Sequence, residues 1–301
     1  VGRERELEAL DGADPAKEVA RRIIDAEVAH LLANQPGAAA GDMEGVHQMR
    51  VGIRRLRTLL VLFGKQFELH ATARFEAELK RLGQLFGAAR DWDVFCTEVL
   101  DAAGQDKRVK GWTELLRPPA ETERRAAHQA VADELGRPAL TALLLGMVAW
   151  VEPDESGQAV LGRRKLERPI AKLAPSLLDR MERRVNKRGG NLRRRPPAEL
   201  HELRKALKKL RYSAEYLGGL YPSKQVRPFQ KASKRLLKLL GAYNDASVAT
   251  ALAERLCSVS GSDLVPAASA LAAWAEKRHA KAEQKLGNAW AAFAATPPFW
   301  S

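Results

Sequence analysis

Strand-type sequence is scarce in this 301-residue chain. Alternating runs of β-branched and aromatic residues are nearly absent, and aromatics make up only 6%. This excludes parallel sheets and dinucleotide-binding folds, which need strands alternating with helices. Cysteine is scarce too. Cys96 and Cys257 lie far apart, so neither a disulfide framework nor a zinc site is expected. No stretch of about 18 apolar residues exists, which excludes a transmembrane helix. The opening residues, Val1 to Glu6, are charged and do not read as a signal peptide. They include no initiator methionine, so a fragment or trimmed chain is expected. A cytoplasmic location without a membrane partner follows as an expectation. What the chain does have is Ala, Leu, Arg, Glu and Lys, all strong helix formers. With 46% hydrophobic residues it can bury a core. The fold class expected is all-α.

Acidic residues are missing from one place in particular. Net charge is +13. Residues 161–211 hold 18 Lys and Arg against 5 Asp and Glu, an excess as large as that of the whole chain. A localised excess of this kind points to a polyanionic partner: nucleic acid, an anionic membrane or polyphosphate.

The chain repeats itself. Val46-His47-Gln48-Met49-Arg50 returns as Leu200-His201-Glu202-Leu203-Arg204, an offset of 154. Without gaps the same offset aligns Arg57 with Arg211, Gly64 with Gly218, Phe75 with Phe229, Lys80-Arg81-Leu82 with Lys234-Arg235-Leu236, Gly87 with Gly241 and Asp91 with Asp245. Two copies of one helical unit are expected, at about 15–150 and 165–301. Residues 151–157 read as the loop between them. In the first copy, helices are expected over about 15–33 (with Asp14 as N-cap), 42–63, 71–86, 91–103, 119–135 and 138–150. Repeat two should carry the corresponding set.

The second helix of each copy is the informative one. Its apolar positions are Val46, Met49, Ile53, Leu56, Leu60 and Phe63 in one copy, and Leu200, Leu203, Leu207, Leu210, Ala214 and Leu217 in the other. Both follow steps of three and four, the buried stripe of an amphipathic helix. One residue further on, about 100° around the helix, runs a second stripe. It holds His47, Arg50, Arg54 and Arg57, matched by His201, Arg204, Lys208 and Arg211; Arg55, Lys205 and Lys209 widen the band. Stacked like charges repel by a few tenths of a kcal/mol per pair. With almost no acid nearby, the stripes ask for a ligand that supplies the negative charge. Arg forks to phosphate oxygens, and Lys and His donate to them. Asp91 and Asp245 are expected to orient a His or Arg from behind or to cap a helix. Arg163-Arg164-Lys165, Arg183-Arg184, Lys187-Arg188 and Arg193-Arg194-Arg195 add charge; the last run, before Pro196-Pro197, reads as a loop that either extends the groove or stays solvated.

His47-x-x-Arg50-x-x-x-Arg54-Arg55-Leu56-Arg57, Lys80-Arg81-Leu82 and Gly87-Ala88-Ala89-Arg90-Asp91 resemble the first half of a CHAD domain, the conserved histidine α-helical domain. His201-x-x-Arg204-Lys205-x-x-Lys208-Lys209-Leu210-Arg211-Tyr212, Lys234-Arg235 and Gly241-Ala242-Tyr243-Asn244-Asp245 resemble the second. The resemblance implies a single domain over 1–301, built of two pseudo-twofold-related halves resembling four-helix bundles. Between them it implies a central basic groove or pore that binds inorganic polyphosphate without catalysis. It also implies association with polyphosphate granules and with polyphosphate-metabolising enzymes. Expected site residues are His47, Arg50, Arg54, Arg55, Arg57, Lys80, Arg81, His201, Arg204, Lys205, Lys208, Arg211, Lys234 and Arg235, with phosphate or sulfate able to occupy the groove. No catalytic residue, metal ligand or cofactor is expected. Many such domains follow a CYTH triphosphatase, whose E-x-E-x-K strand this chain lacks. Asn244 in place of Arg90, and Lys in place of Arg54 and Arg55, imply unequal halves.

Nucleic acid is the first rival partner, but no zinc-finger spacing or RNP aromatic pattern is present. A phosphohydrolase, or an accessory module of a tri- or polyphosphate-processing enzyme, is the second. No P-loop and no His-Glu-x-x-His is present to support catalysis by this chain.

Overall fold

The computed structural model describes residues 9–64, 67, 69–151, 164–190, 192 and 195–301, and among these described residues the helical periodicity becomes ten α-helices. In order they are α1 (Ala16–Ala39), α2 (Met43–Phe63), α3 (Leu69–Val94), α4 (Leu100–Gly104), α5 (Lys110–Leu135), α6 (Pro138–Val151), α7 (Ile170–Gly189), α8 (Pro197–Leu217), α9 (Ser223–Ser260) and α10 (Val265–Ala294). No strand occurs among the described residues. The helices α1 and α7 begin 154 residues apart, as do α2 and α8, and α3 and α9. Pro15 and Pro169, also one offset apart, face each other across an isolated antiparallel bridge. There Ile170 N–H donates to Asp14 O at 2.8 Å and Ala16 N–H to Arg168 O at 3.0 Å.

Both apolar stripes are buried as the spacing requires: Val46, Met49, Ile53, Leu56, Leu60 and Phe63 on α2, and Leu200, Leu203, Leu207, Leu210, Ala214 and Leu217 on α8. Each large member contributes roughly 1.5–3 kcal/mol through burial. They join one core that runs through both halves. A smaller cluster, with Trp92, Phe95, Leu116, Leu256 and Leu271, packs α3 and α5 against α9 and α10. The α1–α2 hairpin closes tightly. Asp42 caps α2 by accepting from Gly45 N–H at 2.8 Å. Gly41 supplies the turn at φ 80°. A Cβ on Gly45 would lie 2.5 Å from Ala38 N, so the two backbones touch there.

Several expected boundaries are corrected. The first helix continues through Pro36 to Ala39. Its N-cap is Pro15 without a side-chain bond; Asp14 instead accepts from Arg22 at 3.0 Å. No break occurs at Gly87. The α3 helix runs on to Val94 and passes through a π-helical turn, Phe95–Val99, into α4. The fifth helix starts at Lys110 and absorbs Pro118 and Pro119, because Leu116 and Ala120 on either side are fully buried. Asp91 and Asp245 therefore lie inside α3 and α9, and neither caps a helix. The second half is not a copy of the first in its helices: α9 is one 38-residue helix where the first half breaks at its π turn. In the expected loop Val151 ends α6, while 152–157 lie outside the described residues, as do Arg163, Arg193 and Arg194.

Candidate polyanion-binding site

Burying one stripe of α2 and one of α8 turns the residues one step on toward the crevice between these helices. A pocket of about 620 Å³ opens there. Its walls are Arg50, Arg54 and Arg57 from α2, and His201, Arg204, Lys205, Lys208 and Lys209 from α8. Ile53, Thr58, Gly83 and Ala206 complete the lining, and Glu202 is the one carboxylate in it. The α7 helix adds Arg184 and Arg188, four residues apart on one face. A second pocket of about 360 Å³ shares Arg57 and Lys209 with the first and adds Lys80 and Glu76.

Room for the arginines comes from α3. A Cβ on Gly83 would sit 3.5 Å from Arg57 Nη1, and one on Gly87 would sit 3.8 Å from Arg50 Nε. Any longer side chain there would meet a guanidinium. Asp91 backs Arg50, at 3.3 Å from its Nη2. Of the two roles expected for Asp91, orienting an Arg or capping a helix, this contact agrees with the first.

The pocket concentrates positive charge in a partly buried place. Burial, then Arg54, Arg204 and Arg50, push Lys208 down from 10.5 to about 6, with Asp245 opposing. Burial likewise lowers Arg50, Arg204, Arg57 and Lys209; Asp91, Asp245 and Glu76 oppose it in part, and neighbouring cations add to each shift. Arg204 Nε is buried with no hydrogen-bond partner. His201 donates from Nδ1 to Asn244 Oδ1 at 2.7 Å. Asn244 thus orients the histidine of its own half, whereas its counterpart Arg90 pairs with Glu98 at 3.0 Å. His47 stands half-buried outside the pocket lining with Nδ1 unpartnered. Burial and then Arg90 lower its pKa.

The remaining expected site residues are placed elsewhere. Arg55 is buried and bridges Glu27 at 2.6 Å and Glu215 at 2.5 Å, its guanidinium 4.6 Å from the Tyr216 ring centroid. Burial alone would lower its pKa, but Tyr216, Glu27 and Glu215 outweigh burial and raise it. Its charge is already matched and does not reach the pocket. Arg81 pairs with Glu134 at 2.6 Å and Glu78 at 3.0 Å. Arg211 pairs with Glu215 at 2.7 Å. Lys234 and Arg235 are exposed on α9, outside both pockets. Lys209, Arg184 and Arg188 join the site instead. Their signal in the sequence was helical spacing within the basic segment, which alone could not separate lining from solvated positions.

Among the described residues no group of three His, Cys, Asp or Glu is placed to hold a metal. Burial pushes the Cys96 thiol up to about 12, which leaves it inert. No single described helix is long and apolar enough to cross a membrane.

An all-helical domain with a repeated His-x-x-Arg helix and a basic pocket between the two copies defines a recognisable class. The sequence profile of the CHAD domain matches residues 22–254, and the chain belongs to that family. It is similar to the crystal structure of the CHAD domain from the plant Ricinus communis, at 27% identity and a TM-score of 0.82, covering 99% of this chain and 98% of that one. PptA from Streptomyces chartreusis shares the fold at 18% identity and a TM-score of 0.66, over 93% of this chain and 98% of that one. Two uncharacterized proteins of Mycobacterium tuberculosis are 26% identical over 256 residues, 80% of this chain. The chain spans about half the length, 46%, of these curated relatives.

Proposed function

We propose that this chain binds inorganic polyphosphate in the pocket between α2 and α8 and performs no chemistry on it. One observation carries the reading. Cations from both repeats wall one pocket, where burial lowers the pKa values of Arg50, Arg204 and Lys208, neighbouring cations lower them further, and Asp91 and Asp245 offset this only in part. A polyanion is the ligand that relieves this. The repeats act as two walls related by an approximate twofold, Arg50 and Arg54 on one side and Arg204 and Lys208 on the other. A linear chain of phosphates lies along them, held through its oxygens alone. No Phe, Tyr or Trp lines the pocket, so a stacking platform for successive nucleic-acid bases is missing there. Glu202 is taken by Lys205 at 2.5 Å. Association with polyphosphate granules and service to polyphosphate-metabolising enzymes follow from this binding.

The test is calorimetric titration of polyphosphate at two salt concentrations, with a variant carrying Arg50→Ala, Arg54→Ala, Arg204→Ala and Lys208→Ala as the comparison. Salt-sensitive binding to the native chain that collapses in the variant is expected. Absent binding, binding unchanged in the variant, or displacement of polyphosphate by equimolar single-stranded DNA would overturn the reading.

A further inference from the structure

The strongest unpaired charge outside the pockets lies on α9. From Ser223 to Leu240 this helix carries Lys224, Arg227, Lys231, Lys234, Arg235 and Lys238 and no acidic residue. Lys224, Arg227, Lys231, Lys234 and Lys238 follow one another at steps of three, four, three and four, so they share one face. All five are exposed. The opposite face carries Val226, Phe229, Ser233, Leu236, Leu237 and Leu240, which are buried. The buried face therefore holds the stripe outward over about 21 Å of helix, at 1.5 Å per residue. No ion pair reaches any of the five among the described residues, whereas the surface cations Arg81, Arg117, Arg108 and Arg255 all have carboxylate partners. The equivalent face of α3 is different: positions 70, 73, 77, 80 and 84 hold His70, Ala73, Ala77, Lys80 and Gln84, with Glu76 and Glu78 beside them. The stripe belongs to one repeat only and is not a by-product of the duplication.

We infer that the outer face of α9 is a second polyanion-binding surface, one that engages long-chain polyphosphate but not chains short enough to fit the pocket. The reasoning is that of the α2 and α8 stripes: stacked cations without acids leave the compensating charge to a ligand. Being open and linear, the α9 stripe suits an extended chain rather than a compact one. Its exposed face carries no aromatic residue, so phosphate oxygens are what it can recognise. The identity of the ligand rests on the pocket reading above.

The experiment compares tripolyphosphate and long-chain polyphosphate by calorimetry, using the intact chain and a variant with Lys224→Gln, Arg227→Gln, Lys231→Gln and Lys238→Gln. None of these residues contributes to the pocket. Unchanged tripolyphosphate binding is expected, with long-chain affinity down at least tenfold and the slope of log K against log salt shallower by about 3, from about 0.7 per lost contact. Long-chain binding and salt slope both unchanged would overturn the inference. So would equal loss of both ligands in a variant of unchanged thermal melting. Vesicles containing phosphatidylserine and duplex DNA serve as controls; loss of either alone, with polyphosphate unaffected, assigns the stripe to another partner and also overturns it. Failure of the pocket reading looks different: tripolyphosphate does not bind the native chain, or binds the pocket variant equally well.

Discussion

Arg55 and Lys209 occupy equivalent positions in the two repeats and have opposite fates. Arg55 is sealed in the interior, its charge matched by Glu27 and Glu215 and its pKa raised. Lys209 lines the pocket with its pKa lowered by burial and by Arg57, Arg184 and Lys205. The cause is what each repeat places around that position. The counterpart of Glu27 is Met181, and the counterpart of Glu215 is Val61. Arg55 meets one carboxylate from each repeat, and at the matching places around Lys209 the chain has carbon instead. A basic residue in a helical stripe is therefore not a ligand contact by virtue of its stripe; the surrounding helices decide whether its charge is already taken.

The largest expected effect separates these two residues. Arg55→Ala leaves Glu27 buried without its cation and should destabilise the chain by about 3–5 kcal/mol in urea denaturation. Lys209→Ala removes a cation held down by its neighbours and should change stability by less than about 0.5 kcal/mol, or raise it. Equal losses would abolish the distinction.

Next is the pH dependence of the pocket. Burial and the neighbouring arginines push Lys208 down from 10.5 to about 6. Between those values the folded chain binds fewer protons than the unfolded chain, so the contribution of Lys208 to stability rises with pH across that window. A bound polyanion raises the lysine pKa again, so binding near pH 7 takes up a proton. Affinity should strengthen as pH falls toward 6, by at most about tenfold per unit, and level off below. Calorimetry in buffers of different ionisation enthalpy measures this uptake. Lys208→Met should abolish it while other contacts persist; an unchanged uptake would place the proton elsewhere.

The smallest effect is at Arg211. Its pair with Glu215 is partly exposed, and Arg211→Ala should cost at most about 1 kcal/mol. Polyphosphate affinity in calorimetry should stay within about threefold, because this stripe member pairs with Glu215 and is not among the residues lining either pocket. A large loss of affinity would return it to the site.

Much of this was readable in advance, because periodicity is local. The stripes of α2 and α8 follow from spacing alone, and so does the basic face one residue along. Helix ends were read less well where a breaker residue was overruled from a distance. Gly87 and Pro119 sit in helices whose flanking residues are buried against other elements, and the sequence carries no mark of those contacts. Arg55 was read as a ligand contact because its partners lie 28 and 160 residues away in sequence. Arg184 and Arg188 were visible as charge but not as lining, since α7 meets α8 only in three dimensions.

The Arg55 bridge has a consequence for binding entropy. It ties α2 to α8 one residue away from Arg54, so the separation of the pocket walls is set before any ligand arrives. A pre-set cation array loses little freedom of its own when an anion enters. Nearly all the conformational freedom surrendered in such a complex would then be the ligand's.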